Sequence, residues 1–311
     1  MCIRDSCGDG PTGLGAFFRE TDYARLMWWP QRGVERVVTW QARRMADADY
    51  RGDTGPRGAL RQRPYDAMRT GLTSPVLSRG LSLTMQWAGG AFYDAIDGTR
   101  SLARGLSARF PTVAATSKRL GPLVERHILP SGIGAFVPVD EAGPHQFWDS
   151  WWHGLPMDND MSDSSLPTTF TEIWVPLDDA AEVMTLLRAH FRAHGLAATG
   201  TFIFEVYAAR ASRFWMHAGH NRDSLRIDVF WFSRNREDPT KTFFVQFWEL
   251  LRPFGYRLHW GKHLPKNDEL GVHYLRKQFP RWDDFLAQRR SLDPAGIFLN
   301  RHFCKALGVS R

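Results

Sequence analysis

The sequence predicts an α+β fold: an antiparallel sheet covered by helices on one side, with a helical insertion. Three observations predict it. Strand-period segments lie near both ends of the chain, the second half alternates strands with helices and sets one strand pair side by side, and a Gly/Pro/Arg-rich loop with helical apolar spacing lies between them. The 311 residues are 43% hydrophobic and 23% charged, a globular balance that suffices for one large domain or two modest ones.

The chain opens on "MCIRDS", whose codons can also spell the end of a common transposon-based sequencing adapter. Residues 1–6 are therefore expected to be non-native, and the chain to be the tail of a longer one. "CGDGPTG" follows, with Gly8, Gly10 and Gly13 at the G-x-G-x-x-G spacing. That fingerprint holds a pyrophosphate only where a strand leads into the glycines and a helix starts at them. Little chain precedes Gly8, and "GLGAFFRE" shows no helical periodicity, so residues 1–19 read as adapter-derived residues plus a connecting loop, and residues 20–311 as one domain.

From Asp22 the pattern becomes regular. "YARLMWW" reads as a strand, Pro30 to Gly33 as a turn, and "VERVVTWQA" as a second strand with Val34, Arg36, Val38 and Trp40 on one face. Arg51 to Pro64 reads as an exposed loop, in which Arg51-Gly52-Asp53 is a chance tripeptide rather than an adhesion signal. Residues 65–130 read as helical in pieces, through Leu81, Met85, Trp87, Phe92, Ile96, Leu102 and Leu106, with Gly89 and Gly90 as a break. The whole insertion spans about 50–165. Asp158, Asp160 and Asp163 lack the glycine and closing Glu of a calcium loop.

The second half is more regular. "TFTEIWV" is a strand, and Asp178 or Asp179 caps a helix with Val183, Leu186, Leu187 and Phe191 on one face and Gly195 at its end. "TFIFEVYA" and "LRIDVFWF" are strands, the latter with Leu225, Ile227, Val229 and Trp231 on one face. Asp238-Pro239 starts a helix with Phe243, Phe247, Leu250, Leu251 and Phe254 inward. "RLHWGKHLP", Arg257 to Pro265, is a strand with His259 and Gly261 on one face and Trp260 and Lys262 on the other.

Composition narrows the function classes. The net charge of +7 is spread as Arg over loops rather than gathered in an aromatic-laced stripe, which argues against nucleic acid as a partner. The run Leu81 to Ile96 carries Gln86 and Asp94 and is shorter than the roughly 20 residues of a spanning helix, so no transmembrane segment is expected. No signal-peptide pattern precedes the fold, and two of three cysteines sit at the suspect start, which points to a reducing, cytoplasmic setting. His259 and His263 stand four apart, but Gly261 and Pro265 oppose a helix there and no Glu lies between them, so no metal is expected.

His259-Trp260-Gly261-Lys262, followed by "FPRWDDFLAQRRSLDPAGIFLN", resembles the carboxyl end of FAD-linked sugar-1,4-lactone oxidases and alditol oxidases of the vanillyl-alcohol oxidase superfamily. The hairpin from Asp22 and the pair of strands between Phe202 and Phe232 resemble that family's cap domain. The resemblance covers residues 20–45 and 168–303 and implies a flavoenzyme. By that resemblance FAD is expected to be bound mainly by an amino-terminal domain outside this sequence, and the cap to lay its sheet over the flavin to form the pocket for an alcohol or lactone. The resemblance implies catalytic roles for Lys262, His259 and Glu205, substrate binding by Glu205, Tyr207 and Lys262, and cofactor contacts from His259, Lys262 and Asn300. Tyr207 stands where the family has arginine, which replaces a forked donor with one hydroxyl. The alternative is a non-catalytic binding module with the cap fold, and Tyr207 favours it. By the same resemblance the chain alone is expected to be inactive.

Overall fold

A computed structural model describes residues 13–46, 61–62, 78–136, 147–148, 167–233 and 237–310. Gly8, Gly10, the Arg51-Gly52-Asp53 tripeptide, the acidic loop of Asp158 to Asp163 and "MCIRDS" lie outside them. The chain divides into two compact units, one of residues 1–42, 169–231 and 237–311, the other of 43–168 and 232–236.

The strands in chain order are β1 (Tyr23–Trp29), β2 (Arg36–Ala42), β3 (Arg61–Gln62), β4 (Phe147–Trp148), β5 (Thr168–Pro176), β6 (Phe204–Ala209), β7 (Ser224–Phe232) and β8 (Arg257–Leu258). Six of them form one antiparallel sheet in the order β2-β1-β6-β7-β5-β8, so the α+β expectation holds. β1 is central to its half: Trp29 pairs with Arg36 across the hairpin, and Arg25 pairs with Tyr207 on its other side.

Period-2 alternation gives the sheet an apolar face. Leu26 and Trp28, Phe204 and Val206, Ile227 and Val229, and Ile173 and Val175 share one buried core. Helix α5 (Ala180–His194) contributes Val183, Leu187 and Phe191 to that core, and beyond the one-turn α6 (Leu196–Thr199), α7 (Phe243–Leu250) contributes Phe243, Phe244 and Phe247. Phe247 meets Phe204 at 5.5 Å and Phe191 at 6.2 Å, edge contacts that lock helix to sheet. Gly200 (φ +60°) lies beneath Phe243, whose ring would sit 2.9 Å from any Cβ there.

Several boundaries differ from the sequence reading, each for a local reason. Residues 14–20 are not loop but helix α1 (Leu14–Glu20), which buries Leu14 and Phe18, an i,i+4 pair, and ion-pairs Arg19 with Asp178. β2 begins at Arg36, because Glu35 has positive φ and Val34 still belongs to the turn. Asp238 does not cap α7 but closes a turn, accepting from Thr240 N at 3.1 Å and Thr240 Oγ1 at 2.6 Å, so the helix starts at Phe243.

In the second unit α2 (Ser78–Ser107) runs unbroken through Gly89 and Gly90, both buried. Packing there outweighs the roughly 1 kcal/mol that each Gly costs a helix. α3 (Pro111–Leu123) and α4 (Leu129–Phe136) complete it, with Tyr93, Ile96, Leu129 and Ile133 buried. Gly132 lets the Phe92 ring into space a side chain would fill. No described helix is long and apolar enough to cross a membrane.

Candidate active site

The opposite face of the sheet is polar yet buried. Charges and aromatic rings stand at alternate positions there: Arg25 on β1, Glu205 and Tyr207 on β6, Arg226 and Asp228 on β7, Glu172 and Trp174 on β5. Charges this deep need partners, since an unpaired ion in low dielectric is costly. Arg25 Nη2 pairs with Glu205 Oε2 at 3.2 Å, both side chains nearly sealed from solvent. Arg226 forks onto Glu172 Oε1, from Nε at 2.8 Å and from Nη2 at 2.6 Å, and Trp174 Nε1 donates to the same oxygen at 2.8 Å.

Tyr207 lies between the two guanidinium groups, 5.3 Å from Arg25 and 4.2 Å from Arg226, and donates its hydroxyl to Asp228 Oδ2 at 2.5 Å. Cross-strand register explains this order, because Tyr207 faces Arg25 on one side and Arg226 on the other, and Glu205 faces Asp228. Burial raises the Tyr207 hydroxyl far above its usual range, and the nearby Asp228 adds to the shift. The Asp228 carboxyl is pushed well above the ordinary carboxylate value by burial, then by Glu172, with Glu205 adding.

Lys262 belongs to the same face, its Nζ 3.8 Å from the centre of the Phe170 ring, which stacks on Phe230 at 4.6 Å. His259 is exposed just beyond β8: its backbone N donates to Glu172 O at 3.2 Å, and its Nδ1 accepts from Gly261 N at 3.1 Å. The chain therefore turns at Trp260 and Gly261 instead of continuing as the expected strand. Trp260 anchors the turn, donating Nε1 to Met216 O at 2.7 Å and packing on Phe279 and Trp282.

Glu205, Tyr207 and Lys262 thus share one face, and His259 flanks it. Asn300 is committed elsewhere, since its Oδ1 accepts from Phe303 N at 2.9 Å and caps the last helix, Arg301–Leu307. His263 bonds Thr169 and packs near Phe244, and burial lowers its pKa. Among the described residues no group of three or more His, Cys, Asp or Glu could hold a metal ion.

Sequence reading missed Arg25, Glu172, Arg226, Asp228 and His217. His217 packs edge-on against Trp174 at 5.3 Å, and its pKa is lowered by burial and then by Arg226. The signal was present for the strand residues: a charge at alternate positions of otherwise apolar strands marks a lined face rather than a solvated one. For His217, which sits in a loop, there was none.

Residues 161–306 match the family model described as D-arabinono-1,4-lactone oxidase. Among curated proteins the chain is similar to an L-gulono-1,4-lactone dehydrogenase of Mycobacterium tuberculosis, 29% identical over 112 residues, covering 34% of this chain and 23% of that protein. An L-gulonolactone oxidase of Mus musculus is 25% identical over 134 residues, covering 42% of this chain and 29% of that protein. One from Scyliorhinus torazame is 28% identical over 107 residues, covering 33% and 23%. The match spans about a quarter of each relative's length, so most of each relative has no counterpart in it.

Proposed function

We propose, from the premise that residues 161–306 are a domain of the FAD-linked sugar-lactone oxidase family, that this chain is the cap of a flavoenzyme oxidising a CH–OH group of a sugar lactone, alditol or related alcohol. The observation that carries the reading is the buried, charge-paired sheet face on which Glu205 and Tyr207 stand two apart, with Lys262 at its edge. FAD, when bound, supplies the hydride acceptor, and oxygen is a candidate for taking the electrons onward.

The residues present fit such a partner. Asp228 Oδ1 is a buried oxygen on this face with no hydrogen-bond partner among the described residues, half-buried Lys262 offers a cation, and Phe170 and Phe230 offer flat apolar surface. Glu205 and Tyr207 orient substrate hydroxyls, Lys262 balances negative charge on the alkoxide, and exposed His259 accepts the hydroxyl proton or positions the ring. We assign the cofactor contacts to His259 and Lys262.

The test uses the protein of the complete reading frame, mixed anaerobically with L-gulono-1,4-lactone and an alditol panel, with flavin bleaching as readout. Reduction by a lactone or alditol is expected, and Glu205→Gln and Lys262→Met should each slow it by about a hundredfold or more. A flavin-loaded protein that none of these reduces would overturn the reading in favour of a non-catalytic binding module, to which Tyr207 at the family's arginine position points.

A further inference from the structure

Among the described residues the polar face holds three carboxyl groups, and guanidinium groups take up two of them: Arg25 pairs with Glu205, and Arg226 with Glu172. Asp228 is the third. It stands opposite Glu205 in the β6–β7 register, where two like charges would repel at close range. Tyr207 from β6 donates to its Oδ2, Glu205 and Glu172 face it with negative charge, and Arg226 beside it is forked onto Glu172. Its Oδ1 is buried and has no partner among the described residues. Buried polar atoms are almost always satisfied, so an orphan oxygen among satisfied neighbours marks a place where a further group docks.

Building on the proposed lactone or alditol chemistry, we infer that Asp228 contacts the substrate, its Oδ1 forming the hydrogen bond to an oxygen of an uncharged, polyhydroxylated molecule. Tyr207 is its positioning residue: the hydroxyl fixes Oδ2, and the two guanidinium groups hold the ring. The Tyr207–Asp228 pair thereby supplies, from two strands, a second contact where one arginine could have provided it. In its neutral acid form Asp228 donates through Oδ1, the two ion pairs beside it cancel within themselves, and Lys262 at the edge carries the remaining positive charge. Arg25 and Arg226, both already paired, leave Asp228 to a substrate hydroxyl rather than to a further ion.

Two readouts test this. Infrared spectra of the chain as it stands should show a protonated-carboxyl C=O band at neutral pH that Asp228→Asn removes. In the complete reading-frame protein, Asp228→Asn, which keeps an acceptor for Tyr207 and a donor for substrate, should hold KM for L-gulono-1,4-lactone within about threefold, whereas Asp228→Leu should raise it about tenfold or more. Tyr207→Phe should fall between them and broaden the pH profile. Equal KM for wild type and Asp228→Leu, or equal losses in the Asn and Leu variants, would overturn the substrate contact. An absent band would overturn the neutral form. A wild type inert to every lactone and alditol would defeat the function reading itself, while the infrared band reports on Asp228 independently.

Discussion

The two faces of the central sheet are built from the same strands, one residue out of step, and they solve opposite problems. On one, Phe204, Val206, Ile227 and Val229 meet α5 and α7 through contacts that need only volume and apolarity. On the other, Glu205 and Asp228 are just as buried and Tyr207 and Arg226 half-buried, yet each needs a particular partner at a particular atom. The apolar face tolerates approximation and holds the molecule together. The polar face contributes little net stability, since desolvation offsets its ion pairs, and what it provides is an ordered chemical surface.

The comparison can be broken most directly on the apolar side. Phe247→Ala removes a fully buried ring that touches Phe191, Phe204 and Phe243, and should destabilise the protein by about 3–5 kcal/mol, read as a lower denaturation midpoint. On the polar side, Glu205→Leu removes the carboxylate that pairs with buried Arg25 and should cost about 3 kcal/mol, whereas Arg25→Met combined with Glu205→Leu should recover most of that loss. If the double variant is no better than the single one, the pair is not the compensated unit described above.

The gentlest test uses pH. Asp228 has a folded pKa above its unfolded one, so the folded state holds the proton more tightly. Its contribution to stability is complete below the ordinary value of 3.8 and fades as pH rises toward the folded pKa. Wild type should therefore lose stability relative to Asp228→Asn across that window, measured by urea midpoints at stepped pH. A constant difference would mean that Asp228 does not titrate with folding.

How much was legible in the sequence varies with the kind of interaction. The strand containing Leu225, Ile227, Val229 and Trp231 was readable because hydrophobic burial depends on periodicity alone. Glu205, Tyr207 and Lys262 were readable through the family resemblance, and the fold brings them to one face. Arg226 and Asp228 lie two apart in that same readable strand, but their partners, Glu172 and Tyr207, come from different strands, and no local pattern specifies which strands become neighbours. Asn300 shows the converse: its side chain is committed locally, three residues away, to a helix cap that fits an ordinary Asn-x-x signal.

The sequence by itself determined the α+β class, the apolar alternation, the helix faces and the family signature around His259 to Lys262, because these depend on spacing along one chain. Tertiary structure alone decided the order β2-β1-β6-β7-β5-β8, and with it that Tyr207 lies between two arginines and that Asp228 faces Glu205. The physical reason is that charge pairing and proton affinity depend on distances across strands and on exclusion of water, and both come into existence only when the sheet closes.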